Sequence, residues 1–154
     1  MNRKITAELL TDEFLEKARL FQANIEPIKV LKARVYQIAQ ANVLVRAASN
    51  GYNKYFFGIN YITIEEIANL DNPFIAFICG DIEQTVIFPA QLFFKHLPDI
   101  SHDRNGEYKI VIDKHFNLVL KGRGNRISCK EFMNAWQLLL TPFNSVEPKN
   151  TAEE

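Results

Sequence analysis

Glu107 and Lys109, separated by one residue, form the first pattern in the chain that could do chemistry. In E-x-K sites two carboxylates hold Mg²⁺, and the lysine orients or activates the water that attacks a phosphodiester. The second acid would have to come from a neighbouring segment, with Asp99 and Asp81 as the candidates. The pattern therefore allows a Mg²⁺-dependent nuclease, but any amphipathic strand can carry the same pair.

Three predicted loops carry polar and basic side chains that suit nucleic-acid recognition. Arginine fits the N7 and O6 acceptors of guanine, asparagine fits adenine, and lysine and backbone amides fit phosphate. Glycines in the third loop allow the backbone to approach a phosphate closely. The candidate DNA-binding residues are Asn50, Tyr52, Asn53, Lys54, His102, Arg104, Asn105, Lys121, Arg123, Asn125 and Arg126. The loops favour binding over catalysis, although ordinary solvated turns have similar compositions.

The net charge of zero combines 18 basic and 18 acidic residues that are unevenly distributed. Residues 27–62 carry five basic and no acidic side chains, and residues 100–130 carry seven basic against three acidic ones. Residues 63–99 have the opposite balance, with six acids against one lysine. Two basic blocks on one face can attract a polyanion that the total charge hides. We therefore expect the two blocks to share one side of the fold.

Length and composition indicate one domain with its own core. A chain of 154 residues, 47% of them hydrophobic, does not need metal or disulfide bonds to fold and is not disordered throughout. Cys79 and Cys129 form no C-x-x-C pair and are expected to be reduced and buried, and the three histidines lack the spacing of a zinc site. No membrane-spanning run or signal peptide is evident, which predicts a soluble, cytoplasmic protein without a membrane partner.

Hydrophobic periodicity predicts the elements that position these groups. Residues 1–41 read as a helical front of two helices, the first capped by Thr11. Residues 42–140 read as a β-rich core in the same domain, and residues 141–154 as a polar linker or tail. The fold class is therefore α+β, with a mostly antiparallel sheet or open pseudobarrel, short inserted helices and a helical N-terminal segment.

Turn and capping signals divide the β-rich core. Asn50-Gly51 predicts a hairpin, and the apolar runs 74–79 and 85–88 predict a second hairpin that is buried on both faces. Capping boxes predict a short helix starting at Thr63 and a closing helix starting at Ser128.

Two further patterns concern single elements. Pro89 is expected in the first turn of a short helix. Apolar Tyr108, Ile110 and Ile112 alternate with polar neighbours, which predicts a half-exposed strand that places Glu107 and Lys109 on its solvent side.

Several segments together resemble the pseudobarrel DNA-recognition domains of restriction enzymes, which share their architecture with a plant transcription-factor domain. The resemblance covers roughly residues 42–140 and is carried by residues 54–60, 74–81, 86–89, 106–110 and 134–136. In that family two arms grip the major groove like a wrench, and the domain binds DNA without cutting it. The resemblance implies a binding module.

We therefore expect a sequence-specific, double-stranded DNA-binding module of a restriction or defence system, without catalysis or a cofactor of its own. A fused or separate nuclease or motor subunit would be its protein partner. Two alternatives stay open. One is the Mg²⁺-dependent nuclease that uses Glu107, Lys109 and Asp99, and the other is a protein-interaction module that uses the aromatic residues of segment 52–61.

Overall fold

The computed structural model describes residues 6–21, 24–30, 33–49, 54–120 and 126–140, and within them the strands form two sheets. Sheet I consists of β1 (Ile25–Val30), β2 (Ala33–Ile38), β3 (Ala41–Ala48), β5 (Pro73–Cys79) and β6 (Thr85–Pro89), in the order β1-β2-β3-β5-β6. Sheet II consists of β4 (Lys54–Asn60), β7 (Glu107–Asp113), β8 (Asn117–Leu120) and β9 (Arg126–Ser128), in the order β4-β7-β8-β9. All neighbouring strands are antiparallel except β3 and β5, which are parallel.

Short helices connect the strands, and a longer one precedes them. They are α1 (Ala7–Leu20), α2 (Tyr61–Ala68), α3 (Ala90–Phe94) and α4 (Gln137–Leu140), with 3₁₀ turns at Ile82–Gln84, Leu97–Asp99 and Lys130–Phe132. The sheets are open and do not close into a barrel, so the predicted α+β class with an N-terminal helix is confirmed. No helix in the described ranges is long and apolar enough to cross a membrane.

Sheet I lies between two hydrophobic layers. Its inner face packs against sheet II, where Leu44 and Phe77 meet Ile59 and Ile110. Its other face packs against α1 and the C-terminal segment through a second cluster that includes Phe14. Because both faces are covered, every residue of β5 is buried, as the predicted hairpin of β5 and β6 requires.

The N-terminal segment differs from its sequence pattern. The predicted cap Thr11 is buried within α1, and the N-cap is Thr6, whose Oγ1 accepts a hydrogen bond from the Leu9 N–H at 3.0 Å. The predicted second helix is wrong, because the segment forms β1 and β2. Val35 belongs to the cluster between the sheets and Ile38 to the cluster beneath α1. A strand that is buried on both faces lacks polar alternation and can mimic helical spacing.

The predicted hairpin around Asn50-Gly51 is also wrong. Strand β3 pairs with β2 and β5, and β4 pairs with β7 in the other sheet, so the chain changes sheets between Ala48 and Lys54. Turn-forming residues indicate only that the chain reverses direction. Which strands then pair depends on the surface that each strand buries.

Three helices also have boundaries that differ from those predicted from the sequence. Helix α2 begins at Tyr61 behind the cap Asn60, so the expected cap Thr63 lies inside it, and Pro89 precedes α3 as its N-cap. The expected closing helix is interrupted at Asn134, which has a φ of 50°. The Asn134 side chain donates to the Glu83 carbonyl at 2.6 Å and its Oδ1 accepts from the Thr85 N–H at 3.3 Å. This link to β6 holds the segment in a turn.

Trp136, which follows that turn, is buried, as expected, at 5% exposure. Its ring stacks on Phe14 of α1 with centroids 4.7 Å apart. The C-terminal segment therefore helps to fasten α1 to sheet I.

Candidate functional site

The face of sheet II that points away from sheet I, here called the outer face, gathers side chains from all four strands. The register aligns Phe56, Val111, Val119 and Arg126 in one row across the sheet. The next rows place Lys54 opposite Asp113, Gly58 opposite Lys109, and Asn60 opposite Glu107. The alternation predicted for β7 is confirmed, because Ile110 and Ile112 are buried on the inner face.

An exposed aromatic ring lies at the β4 edge of the outer face. Phe56 is 70% exposed, and its row neighbours Val111 and Val119 are half-buried. In the described part of the chain, helix α2 sends Ile64 and Ile67 into the core between the sheets and leaves the outer face uncovered. Among the described residues, Phe56 is one of five large hydrophobic side chains that are exposed to solvent.

Two cations of the outer face are paired with acids. Arg126 Nη1 lies 3.0 Å from Asp113 Oδ2, and Lys109 Nζ lies 3.5 Å from Asp103 Oδ2. Lys54 is exposed at the first position of β4. In each ion pair the cation stays largely solvated, because the side chain of Arg126 is 63% exposed and that of Lys109 is 52% exposed.

Asp113 is a buried acid that organises the turn after β7. Its Oδ1 accepts hydrogen bonds from the N–H groups of His115 at 2.9 Å and Asn117 at 3.0 Å. Burial raises the pKa of Asp113, but these two hydrogen bonds and the charge of Arg126 outweigh it and bring the pKa below the usual 3.8. The charged form of Asp113 is therefore favoured by the folded state.

We expect Asp113→Asn to lower the free energy of unfolding by about 1–3 kcal/mol near pH 7, because it removes the negative charge that Arg126 and the N–H groups of His115 and Asn117 stabilise. The folded-state pKa lies below the unfolded value, so this stability is present above the unfolded pKa. It is lost as the pH falls from about 3.8 through the folded pKa. Urea unfolding of both proteins across the acid range measures the difference, and a difference that does not shrink at low pH would contradict this role.

The loop before β7 holds three predicted DNA-binding residues, His102, Arg104 and Asn105, all exposed. Asp103 shapes this loop, because its Oδ1 accepts from the N–H groups of Asn105 and Glu107, both at 2.9 Å. Those hydrogen bonds lower the pKa of Asp103. The loop is therefore held at one end of the outer face.

His102 has a further contact in that loop. Its ring stacks on Tyr61 with centroids 4.8 Å apart. The stack connects the loop to the start of α2.

The E-x-K pair is placed on one face, as the sequence predicts, and Lys109 contacts an acid from the preceding loop. Asp99 lies in the 3₁₀ turn Leu97–Asp99, whereas the acid that contacts Lys109 is Asp103. Both oxygens of Asp103 already have partners, which lie in the loop and at the start of β7. Among the residues that the structure describes, no group of three or more His, Cys, Asp or Glu side chains could share a metal ion.

The two basic blocks share a face only in part. Lys54 of the first block lies on the outer face with Lys109 and Arg126 of the second. Lys29 and Arg34 of the first block pair across β1 and β2, and Arg34 lies 3.9 Å from Glu8 of α1. These two cations are therefore on the α1 side of sheet I, away from the outer face.

Six of the predicted DNA-binding residues lie outside the described residues. They are Asn50, Tyr52, Asn53, Lys121, Arg123 and Asn125. Of the aromatic segment proposed for protein interaction, Phe57 belongs to the core and Phe56 is exposed.

A pocket of about 660 Å³ opens beside the outer face, where β3 of sheet I meets the edge strand β4. Leu44 and Ile59 line its inner wall, and Arg46 and Glu107 contribute the charged groups. Arg46 was grouped by sequence only with the basic block, so this pocket was missed. The available signal was Gly58, because a glycine inside a strand often marks close approach of another group.

The two cysteines are free and buried, as expected. Burial is the main cause that raises the pKa of both thiols to about 12. Neither thiol is therefore suited to act as a nucleophile near neutral pH.

Comparison of the chain with protein-family models, curated proteins and solved structures finds no match. A functional assignment has to come from the chemistry of the outer face and of the adjoining pocket.

Proposed function

We propose that this domain binds double-stranded DNA through the outer face of sheet II. In this proposal it is the sequence-specific recognition module of a cytoplasmic restriction or defence system. Cleavage or translocation would be supplied by a fused or separate nuclease or motor subunit, and binding itself would need no cofactor.

The observation that carries the proposal is the composition of the outer face. An exposed aromatic side chain, Phe56, shares this face with the cations Lys54, Lys109 and Arg126, which come from three different strands. β-sheets can contact DNA through a groove, with cations on phosphates and polar groups on base edges. Arg104 and Asn105, exposed in the loop at the end of this face, add side chains of the types that contact guanine and adenine.

The ion pairs on the face are compatible with this role. An exposed pair such as Lys109 with Asp103 contributes only about 0–1 kcal/mol, so a phosphate can replace the carboxylate at little cost. Arg126 keeps its link to Asp113 and still has unused N–H donors, since a guanidinium has five.

A duplex titration in a salt series tests the proposal. We expect binding of a fluorescent mixed-sequence duplex at low salt, with log affinity falling linearly with log salt by about 0.9 for each neutralised phosphate. Fluorescence anisotropy gives the slope. Absence of binding at low salt, or affinity that is insensitive to salt, would contradict the proposal.

The same duplex incubated with Mg²⁺ or Mn²⁺ separates the alternatives. Intact DNA in a stable complex is expected for a binding module. Nicking that disappears in Lys109→Ala would instead establish the nuclease, and a protein partner captured without any DNA affinity would favour the interaction module.

A further inference from the structure

The pocket between β3 and β4 is lined by two side chains of opposite charge, Arg46 and Glu107. Arg46 Nη2 donates to the Gly58 carbonyl at 2.8 Å, which fixes the guanidinium against the edge of β4. Burial lowers the pKa of Arg46, and the negative charge of Glu107 acts to raise it, so the two groups interact electrostatically. The hydrogen bond of Arg46 is to the backbone of β4, whereas the side-chain partner of Glu107 is Asn60.

Glu107 is held in place by its neighbours. Asn60 Nδ2 lies 3.4 Å from Glu107 Oε2, while Asn60 Oδ1 caps α2 by accepting from the Ile62 N–H at 2.9 Å. A Cβ atom at Gly58 would lie only 2.7 Å from Glu107 Oε1, so glycine leaves the space that this carboxylate occupies. The Glu107 carboxylate, which is the acceptor of the pocket, and the Arg46 guanidinium, which is its donor, are thus held by different neighbours.

The rest of the pocket is mainly apolar. Leu44 and Ile59 are almost completely buried, and Ile62 is 40% exposed at the pocket's solvent side. A volume of about 660 Å³ lies within the usual range for ligand pockets, which are mostly apolar with a few placed polar groups.

We propose that this pocket binds a guanine-type base, which bridges Arg46 and Glu107. Guanine offers O6 and N7 as acceptors for a guanidinium, and its N1–H and amino group are donors for a carboxylate. Its flat apolar faces suit the aliphatic walls. Adenine presents a donor where guanine has O6, and therefore places its amino group against the guanidinium.

A neutral base fits better than a zwitterion such as an amino acid. A zwitterion could also bridge Arg46 and Glu107, but both of its charges would have to leave water for a pocket with apolar walls. A neutral base with one acceptor edge and one donor edge satisfies both protein groups with less desolvation.

The base has two possible sources, a free guanine nucleoside or nucleotide and a guanine extruded from a duplex. The second source rests on the proposed function. It is supported by the position of Glu107, which belongs both to the outer face and to the pocket. Enzymes and binding domains that remove a base from the stack read its hydrogen-bonding edge in such a cavity.

Calorimetric titration of the full chain with guanosine, inosine, adenosine and leucine tests the pocket. We expect guanosine to bind about 5- to 150-fold more tightly than adenosine, the range for a bidentate base contact. Inosine, which lacks the amino group, should be intermediate. Glu107→Gln should lose this preference, and Glu65→Gln, an exposed substitution on α2, is the matched control.

Gly58→Ala provides a second variant, because its Cβ displaces the Glu107 carboxylate without changing any charge. Circular dichroism confirms that each variant is folded. Equal affinity for guanosine and adenosine, binding of leucine instead, or a preference for guanosine that survives both variants would overturn the proposal.

A duplex carrying 2-aminopurine beside a guanine distinguishes the sources. A fluorescence rise that Glu107→Gln abolishes indicates an extruded base, and guanosine binding without a rise indicates a free nucleoside. If the duplex binds but neither signal is seen, the pocket proposal fails and the proposed function stands. If guanosine binds but the duplex does not, the proposed function fails and the pocket proposal stands.

Discussion

Phe77→Ala is expected to reduce the free energy of unfolding by about 3–5 kcal/mol, a large part of the roughly 5–15 kcal/mol that stabilises a typical domain. Phe77 is fully buried between the sheets. Its ring meets Phe57 of sheet II at 4.9 Å and Phe88 of β6 at 6.3 Å, both edge to face. Truncation therefore leaves a cavity where the two sheets join.

Urea unfolding measures the change, and the melting temperature should fall by roughly 2–4 °C for each kcal/mol. Phe56→Ala is the matched control. It removes the same atoms from a residue that is 70% exposed, and we expect it to alter stability by no more than about 0.5 kcal/mol. Similar losses in both variants would contradict the assignment of Phe77 to the central core.

The largest functional effect is expected from Lys54→Gln combined with Lys109→Gln. These cations lie on neighbouring strands of the outer face, and both are exposed. If each contacts one phosphate, the double variant should bind duplex DNA about 10- to 100-fold more weakly at low salt, because it lacks two charge-assisted hydrogen bonds. The salt slope should become shallower by about 1.8.

Lys29→Gln combined with Arg34→Gln serves as its control. It removes the same charge from the α1 side of sheet I, so the net charge of the two proteins is equal. Anisotropy titrations should show nearly unchanged affinity and slope for this control. Equal weakening by both double variants would mean that total charge, and not the outer face, determines binding.

Sequence patterns correctly predicted the strands whose residues are either all buried or alternately buried and exposed. The β5–β6 hairpin is apolar throughout because both faces of sheet I are covered, and β7 alternates because one of its faces is open. Strands β1 and β2 were interpreted as a helix because Val35 and Ile38, three residues apart, are both buried. In a strand that spacing places them on opposite faces, which only the surrounding layers reveal.

Only one part of the candidate site was predictable from sequence. It is the part in which the spacing of residues along a single strand determines which face they share. Glu107 and Lys109 had to share a face once they were assigned to a strand. The approach of Arg46 to Gly58 and Glu107 depends on how sheet I packs on sheet II, and sequence separation hides it. For the same reason, grouping cations along the chain did not predict that Lys29 and Lys54 lie on different sides.

The parallel pairing of β3 with β5 has a consequence for how the molecule unfolds. The 24 residues between Ala48 and Pro73 leave sheet I, supply the edge strand of sheet II, and return through α2. Displacing β4 would strain its connections to β3 and β5 at the centre of sheet I, so we expect the two sheets to open together. The molecule should therefore unfold as one cooperative unit, and hydrogen exchange in the centres of both sheets should report the same opening free energy.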